Sequence, residues 1–469
     1  MNYWELRTIV SKIIPRMTQL SSSKRKASAV KEKGRKKNYS QFNIRHNEWR
    51  KQERLLNTEE INSFLEISLR ASACPMPFNM DIWDGLICPF ACKYCFANAF
   101  RASLYTAFFD NSKTMGFRHC NPDKYKLEMD GMDKFRGRSF EDKKKLSGIN
   151  KAFALEIPVR MGIRFEDFLK NEGQEGVSLK MLEYLADIEY PVMINTKSGL
   201  VGQEAYVKAL SENAAGAAVH VTVITSNDVI NKKLEPGAPP FKERMKAIKV
   251  MVASGIRVVA RIEPYLFLLN DRKEDVDYYM EQMWDAGVRH ITFDTYSYTA
   301  LNQGIRQSFM NVGYDFDRIY LAGCDSQPLG SLLLGKFMDL FKERGFYCST
   351  FDMGNVPDNH DSICCEVGDW FGDNTSWNYG STVMAARFIQ EKKGTNVSWN
   401  MYEAYVDKHG GFLTEQLREE VKLLWNLEGN NAYSHKWARG LTANGRDEDG
   451  LLWRWDDTDY RTDLLNTII

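Results

Sequence analysis

Asp81-Ile-Trp-Asp-Gly-Leu-Ile-Cys88-Pro-Phe-Ala-Cys92-Lys-Tyr94-Cys95-Phe96-Ala-Asn98 is the stretch from which the rest of this chain is read. Three of the nine cysteines stand at C-x-x-x-C-x-x-C spacing, in a loop after a strand-like run. Thiolates that close together on one turn can all reach a single soft metal centre. A closed tetrahedral zinc site would need a fourth ligand from elsewhere. A 4Fe–4S cluster held by three cysteines instead leaves one iron open. The bland alternative is that three cysteines fell together by chance. The aromatics on either side of the last cysteine, Tyr94 and Phe96, argue against it.

Working outward, the hydrophobic pattern after the loop alternates between short β-rich runs and helical spacing. Phe78–Leu86, Ala152–Met161, Pro191–Thr196, Ala217–Thr225, Arg257–Glu263 and His290–Tyr296 read as strands. Tyr94–Phe109, Ser178–Ile188, Gln203–Ser211, Pro240–Ala253 and Glu274–Ala286 read as helices. Such alternation predicts an α/β fold, a parallel sheet with helical crossovers as an open or closed barrel. Polar groups in such folds gather at the C-terminal strand ends. The cysteine loop, Thr196-Lys197-Ser198 and Thr225-Ser226-Asn227 all fall there.

The barrel is expected over residues 71–345, with a polar insertion at about 110–150. Residues 1–70 read as a basic, partly disordered N-terminal extension. Its Lys/Arg-rich stretch Ser21–Lys37 suits either a solvated tail or an arm on nucleic-acid phosphates. Residues 346–469 read as a mostly helical, aromatic-rich C-terminal region, including Trp399, Trp425 and Trp453. Such rings either fill a core or stack on bases.

With 43% hydrophobic and 26% charged residues, the 469-residue chain has ample material for a core. Its 62 basic and 62 acidic residues cancel overall, but the balance is uneven along the chain. No apolar run approaches a membrane span and no signal pattern opens the sequence, so the expected setting is cytoplasmic, with no membrane partner. Nine cysteines suit that reducing compartment.

The cysteine loop resembles that of the radical S-adenosylmethionine (SAM) superfamily. The middle third resembles its spore photoproduct lyase-like (DNA repair photolyase-like) branch, through Pro191-Val-Met-Ile-Asn-Thr-Lys197-Ser198, Val221-Thr-Val-Ile-Thr225, Leu234-Glu-Pro236, Glu243-Arg-Met-Lys-Ala-Ile248 and Glu263-Pro264. The resemblance covers roughly residues 78–300. It implies a partial (β/α)6 barrel, a TIM-barrel-like core. It also implies a 4Fe–4S cluster on Cys88, Cys92 and Cys95, with SAM chelated by the open iron. Reductive cleavage of SAM would then give a 5′-deoxyadenosyl radical that abstracts hydrogen from a substrate. By the same resemblance Lys197 would bind the SAM carboxylate and Thr222 would hydrogen-bond SAM. Tyr94 and Phe96 would flank cluster and adenine, and Arg244 is a weaker cofactor-binding candidate.

One departure stands out: Met161-Gly-Ile-Arg-Phe-Glu-Asp167 replaces the branch's Ser/Asp-rich turn, and Gly162 offers SAM no hydroxyl. Cys348, Cys364 and Cys365 are candidates for a hydrogen-atom donor or for an auxiliary Fe–S cluster, with Cys324 or Cys120, as well as for buried structural cysteines. The substrate expected is a nucleic-acid base, in lesion repair or base modification. The alternatives are a peptide or small-molecule substrate, and a non-catalytic metal or Fe–S binding module. The partners expected are a flavodoxin- or ferredoxin-like electron donor and DNA or RNA on the basic arm.

Overall fold

The computed structural model describes residues 1–14, 65–67, 78–84, 88–95, 118–146, 148–163, 165–296, 309–321, 328–350, 389–390, 393–408, 418, 422, 425–426 and 441–455. Phe96, Arg164, Cys324, Cys364, Cys365 and the basic stretch Ser21–Lys37 lie outside them.

Among the described residues, eight strands form the main sheet. They are β1 (Leu65–Ile67), β2 (Phe78–Met80), β5 (Val159–Met161), β6 (Val192–Thr196), β7 (Ala217–Thr222), β8 (Arg257–Tyr265), β9 (His290–Thr295) and β10 (Tyr347–Thr350), paired in that order. A separate small pair, β3 (Trp83–Asp84) with β4 (Arg118–His119), follows β2. β1 runs antiparallel to β2, and every later pairing in the main sheet is parallel. Parallel neighbours need crossovers, and helices such as Val177–Asp187, Phe241–Ala253 and Lys273–Asp285 supply them. The α/β architecture expected from the alternation, a parallel sheet with helical crossovers, is the one observed. The sheet runs one parallel strand further than six, because β10 lies just beyond the expected boundary at 345.

Register separates the two faces. Ile194, Val219 and Val258 stand side by side, as do Val221, Ala260, Ile291 and Cys348. This apolar face is covered by helices: Phe293 meets Phe337 and Phe341 of helix Pro328–Glu343 edge-on. The other face is polar. Asn79 stands beside Arg160, Asn195 beside His220, and Thr222 beside Arg261, Thr292 and Ser349.

Several expectations shift. Residues Gly148–Ala154 are helical and the strand starts only at Val159, so Ala152–Met161 is not one strand. Turn residue Glu156, at φ 54°, and Pro158 separate the two. The insertion holds helices Pro122–Asp133 and Phe140–Lys144, with Tyr125, Met129 and Met132 in the core. The extension begins with a helix over 3–14, whose Tyr3, Leu6, Val10 and Ile14 enter the same core. The C-terminal region includes helix Trp399–Lys408 and an antiparallel hairpin, β11 (Leu441–Asp447) with β12 (Gly450–Trp455). Trp399, Trp425 and Trp453 are buried there against Tyr402 and one another. These three rings fill a core rather than offer a stacking face.

Candidate functional site

The cysteine loop is two successive turns. Ala91 N donates to Cys88 O at 3.0 Å, and Cys95 N to Cys92 O at 3.2 Å. Ala91 takes φ 49° to pass from the first turn to the second. Cys92 is buried; Cys88 and Cys95 are partly exposed. Burial pushes the Cys88 thiol up, with the Glu166 carboxylate adding to it, while the amides of Phe90 and Glu166 pull it back. Burial raises Cys92 far more, against the pull of Lys197; Cys95 and Cys88 add to the rise at Cys92, and Cys95 to that at Cys88.

Lys197 leaves the end of β6 directly toward this loop. Its Nζ lies 5.6 Å from the Tyr94 ring centroid. Burial lowers its pKa, but Cys92, Glu235 and Cys95 outweigh that and raise it. A cation is therefore fixed beside the thiols. Under it, Glu166 accepts from Thr196 Oγ1 at 2.6 Å and from Lys197 N at 3.0 Å. The segment that departs from the branch pattern thus supports the Thr196-Lys197-Ser198 turn. Gly162 explains its own presence: at φ 73°, an added Cβ would lie 2.0 Å from Asn195 O. Asp167 closes the same corner, accepting from Trp83 N at 3.0 Å and Gly162 N at 2.7 Å.

Tyr94 and Arg244 share a buried partner. The Tyr94 hydroxyl donates to Glu235 Oε1, and Arg244 Nη2 donates to Glu235 Oε2. Arg244 also gives Nη1 to Thr222 O at 2.7 Å and Nε to Pro239 O at 2.8 Å, and its side chain is fully buried. Nε, Nη1 and Nη2 thus each have a partner within the protein, and the guanidinium ties the loop region together. Thr222 lies on the polar face beside Arg261.

Cys348 lies on the opposite, helix-covered face of β10, its Sγ toward Met338 O and Phe346 O. That placement suits the structural reading and neither a hydrogen donor nor a ligand on the polar face. Cys120 is likewise in the hydrophobic core.

The polar face contains residues that the strand reading passed over. Arg160 Nε donates to Asn79 Oδ1 at 2.9 Å, and Arg261 Nη1 to Asn195 Oδ1 at 2.6 Å. Arg261 Nη2 pairs with Glu263, and Thr292 Oγ1 reaches Glu263 Oε1 at 3.4 Å. The signal was available in the sequence. Parallel strands covered on both faces read as unbroken apolar runs, whereas here a polar side chain stands at every second position of Arg261-Ile-Glu263 and His290-Ile-Thr292-Phe-Asp294.

Among the described residues, no three His, Cys, Asp or Glu side chains converge as ligands of one ion. A polynuclear iron–sulfur cluster asks for something else: soft thiolates set around a group several ångströms across. Cys88, Cys92 and Cys95 stand on two linked turns, with the amides of Phe90 and Glu166 on Cys88 and Lys197 beside Cys92, a set of soft donors that suits such a group.

No family model matches the sequence. A relative, the uncharacterized protein ORF301 of Acidianus two-tailed virus, is 30% identical over 117 residues; the match spans 24% of this chain and 38% of that protein. Among solved structures, spore photoproduct lyase with bound AdoMet and dinucleoside spore photoproduct is 13% identical, with a TM-score of 0.42 over 60% of this chain and 79% of that one. Streptococcus suis SuiB bound to the precursor peptide SuiA is 12% identical, with a TM-score of 0.37 over 61% of this chain and 52% of that one.

Proposed function

We propose that this chain is a radical SAM enzyme, with Cys88, Cys92 and Cys95 holding a 4Fe–4S cluster at the C-terminal edge of the parallel sheet. The observation that carries the reading is the placement of Lys197 beside Cys92, at the mouth of a polar-lined sheet. A three-thiolate cluster supplies an open iron and an electron for reductive cleavage of SAM. The chain's own residues do the rest. Lys197 offers a fixed positive charge to the SAM carboxylate, and Glu166 holds the Lys197 backbone in place. Thr222 lies on the polar face toward the same space. Helices pack on the opposite, apolar face of the sheet, which leaves the polar face for cofactor and substrate.

Asn79, Arg160, Asn195, Arg261 and Glu263 supply donors and acceptors on the substrate side. They favour a substrate rich in hydrogen-bonding groups, and a nucleic-acid base is the class we assign first.

The test is anaerobic. The protein is loaded with iron and sulfide, reduced and given SAM, beside a variant carrying Cys88→Ala, Cys92→Ala and Cys95→Ala. Release of 5′-deoxyadenosine by the wild type alone supports the reading, and stimulation by DNA or RNA identifies the substrate class. A fully loaded, reducible wild type that releases none overturns it in favour of a non-catalytic cluster protein.

A further inference from the structure

We infer that Tyr94, Glu235 and Arg244 form a buried clamp that holds the cysteine loop in its ligand-presenting conformation before any metal arrives. The naming of what the thiols hold rests on the proposed function; the clamp itself is a property of the folded chain. Three independent ties join the loop to residues 234–239. Lys93 N donates to Leu234 O at 2.7 Å, and Gly237 N donates to Phe90 O at 3.1 Å. The third is the Tyr94 hydroxyl on Glu235, whose other oxygen is held by Arg244. Arg244 in turn anchors the turn to the end of β7 and to Pro239 through carbonyl oxygens. Contact is close enough that a Cβ on Gly237 would lie 2.0 Å from Pro89 O.

Tyr94, Glu235 and Arg244 are all buried, so their polar atoms satisfy one another where water cannot. The aromatic between the second and third cysteines is thus a positioning residue, acting through its phenol on the turn that carries Cys92. Its ring lies beneath Lys197, so one contact sets both loop and lysine.

The experiment uses the metal-free full-length protein and measures alkylation of individual cysteines by iodoacetamide, read by peptide mass. Cys92, Cys120 and Cys348 are all buried and must await an opening of the structure. Tyr94→Phe removes one hydrogen bond and leaves the Glu235–Arg244 pair intact. Gly237→Ala strains the loop from the other side without touching Tyr94. In both variants Cys92 is expected to react about tenfold faster than in the wild type, with Cys120 and Cys348 unchanged. After loading, both should bind less iron, and the electron paramagnetic resonance change on adding SAM should weaken. Cys92 protection in both variants equal to that of the wild type overturns the clamp, as does acceleration of all three cysteines together, which signals general loosening. A wild type that takes up no iron, with Cys92 alone exposed in the variants, removes the proposed function and leaves the clamp standing. A wild type that makes 5′-deoxyadenosine, with unaltered variants, does the reverse.

Discussion

Lys197 and Gly162 show how much single positions carry. Lys197 is a long, partly buried cation whose neighbours are thiols, Glu235 and an aromatic ring. Lys197→Ala should weaken SAM binding by about tenfold or more. 5′-Deoxyadenosine release should fall with it while iron content and brown colour persist. Titration of SAM into the loaded protein, with iron counted in parallel, checks this, and loss of iron would assign the lysine to the cluster instead. Gly162 has no side-chain chemistry, yet β5 and β6 approach closely only because it lacks a Cβ. Gly162→Ala should cost about 3 kcal/mol in stability, from its positive φ and from overlap with the Asn195 carbonyl. Denaturant unfolding measures it, and a loss below about 1 kcal/mol would mean that the strand ends relax apart.

At the scale of elements, Glu172 ties three of them together. Its carboxylate is fully buried. It accepts from Trp83 Nε1 at 2.8 Å, Ser178 N at 2.9 Å, Leu179 N at 3.0 Å and Tyr206 Oη at 2.9 Å. Ser178 and Leu179 lie in the first turn of helix Val177–Asp187, whose free amides attract a negative group. Trp83 stands five residues before Cys88, so the cap also steadies the approach to the cysteine loop. Glu172→Ala strands four donors in a dry site and should destabilise the fold by about 3 kcal/mol or more. Glu172→Gln, which keeps the shape, should cost less. Equal losses in the two variants, compared by denaturant unfolding, would locate the effect in packing volume instead of hydrogen bonding.

Across the whole molecule, the N-terminal helix over 3–14 joins the start of the chain to the loop after β8. The Tyr3 hydroxyl donates to Asp271 Oδ2 at 2.5 Å and lies 2.7 Å from the Tyr265 hydroxyl. Arg7 Nη2 pairs with Asp271 Oδ1 at 3.1 Å. Tyr3 also meets Phe337 of helix Pro328–Glu343. Asp271 is fully buried, so removing its cation leaves an uncompensated charge. Arg7→Leu should therefore destabilise by about 2–3 kcal/mol. Adding Asp271→Asn should return part of that loss, giving a coupling that a double-mutant cycle reads directly. Additive losses would mean that the helix is held by its apolar side chains alone. Trp399, Trp425 and Trp453 behave similarly at the other end of the chain, packing helix Trp399–Lys408 to the hairpin of β11 and β12, with Trp425 Nε1 donating to Leu451 O at 2.7 Å.

The alternation of periods 2 and 3.6 from Pro191 onward was enough to order strands and helices, because local pattern and global layering agree there. Ala152–Met161 misled, since a short apolar run does not reveal whether it is helix or strand, and a turn divides it. The cysteine spacing was legible because covalent spacing alone puts three thiols on one turn, and Lys197 was legible through the motif around it. That Tyr94, Glu235 and Arg244 meet was not, because residues 141 positions apart come together only when β7 brings the turn after it against the cysteine loop. Nor could sequence place Cys348, since one register step decides which face of a sheet a residue joins. Local chemistry and periodicity were determined by the sequence alone. Partnership between buried charges was decided by tertiary structure, because only the packed chain excludes the water that would otherwise solvate each of them.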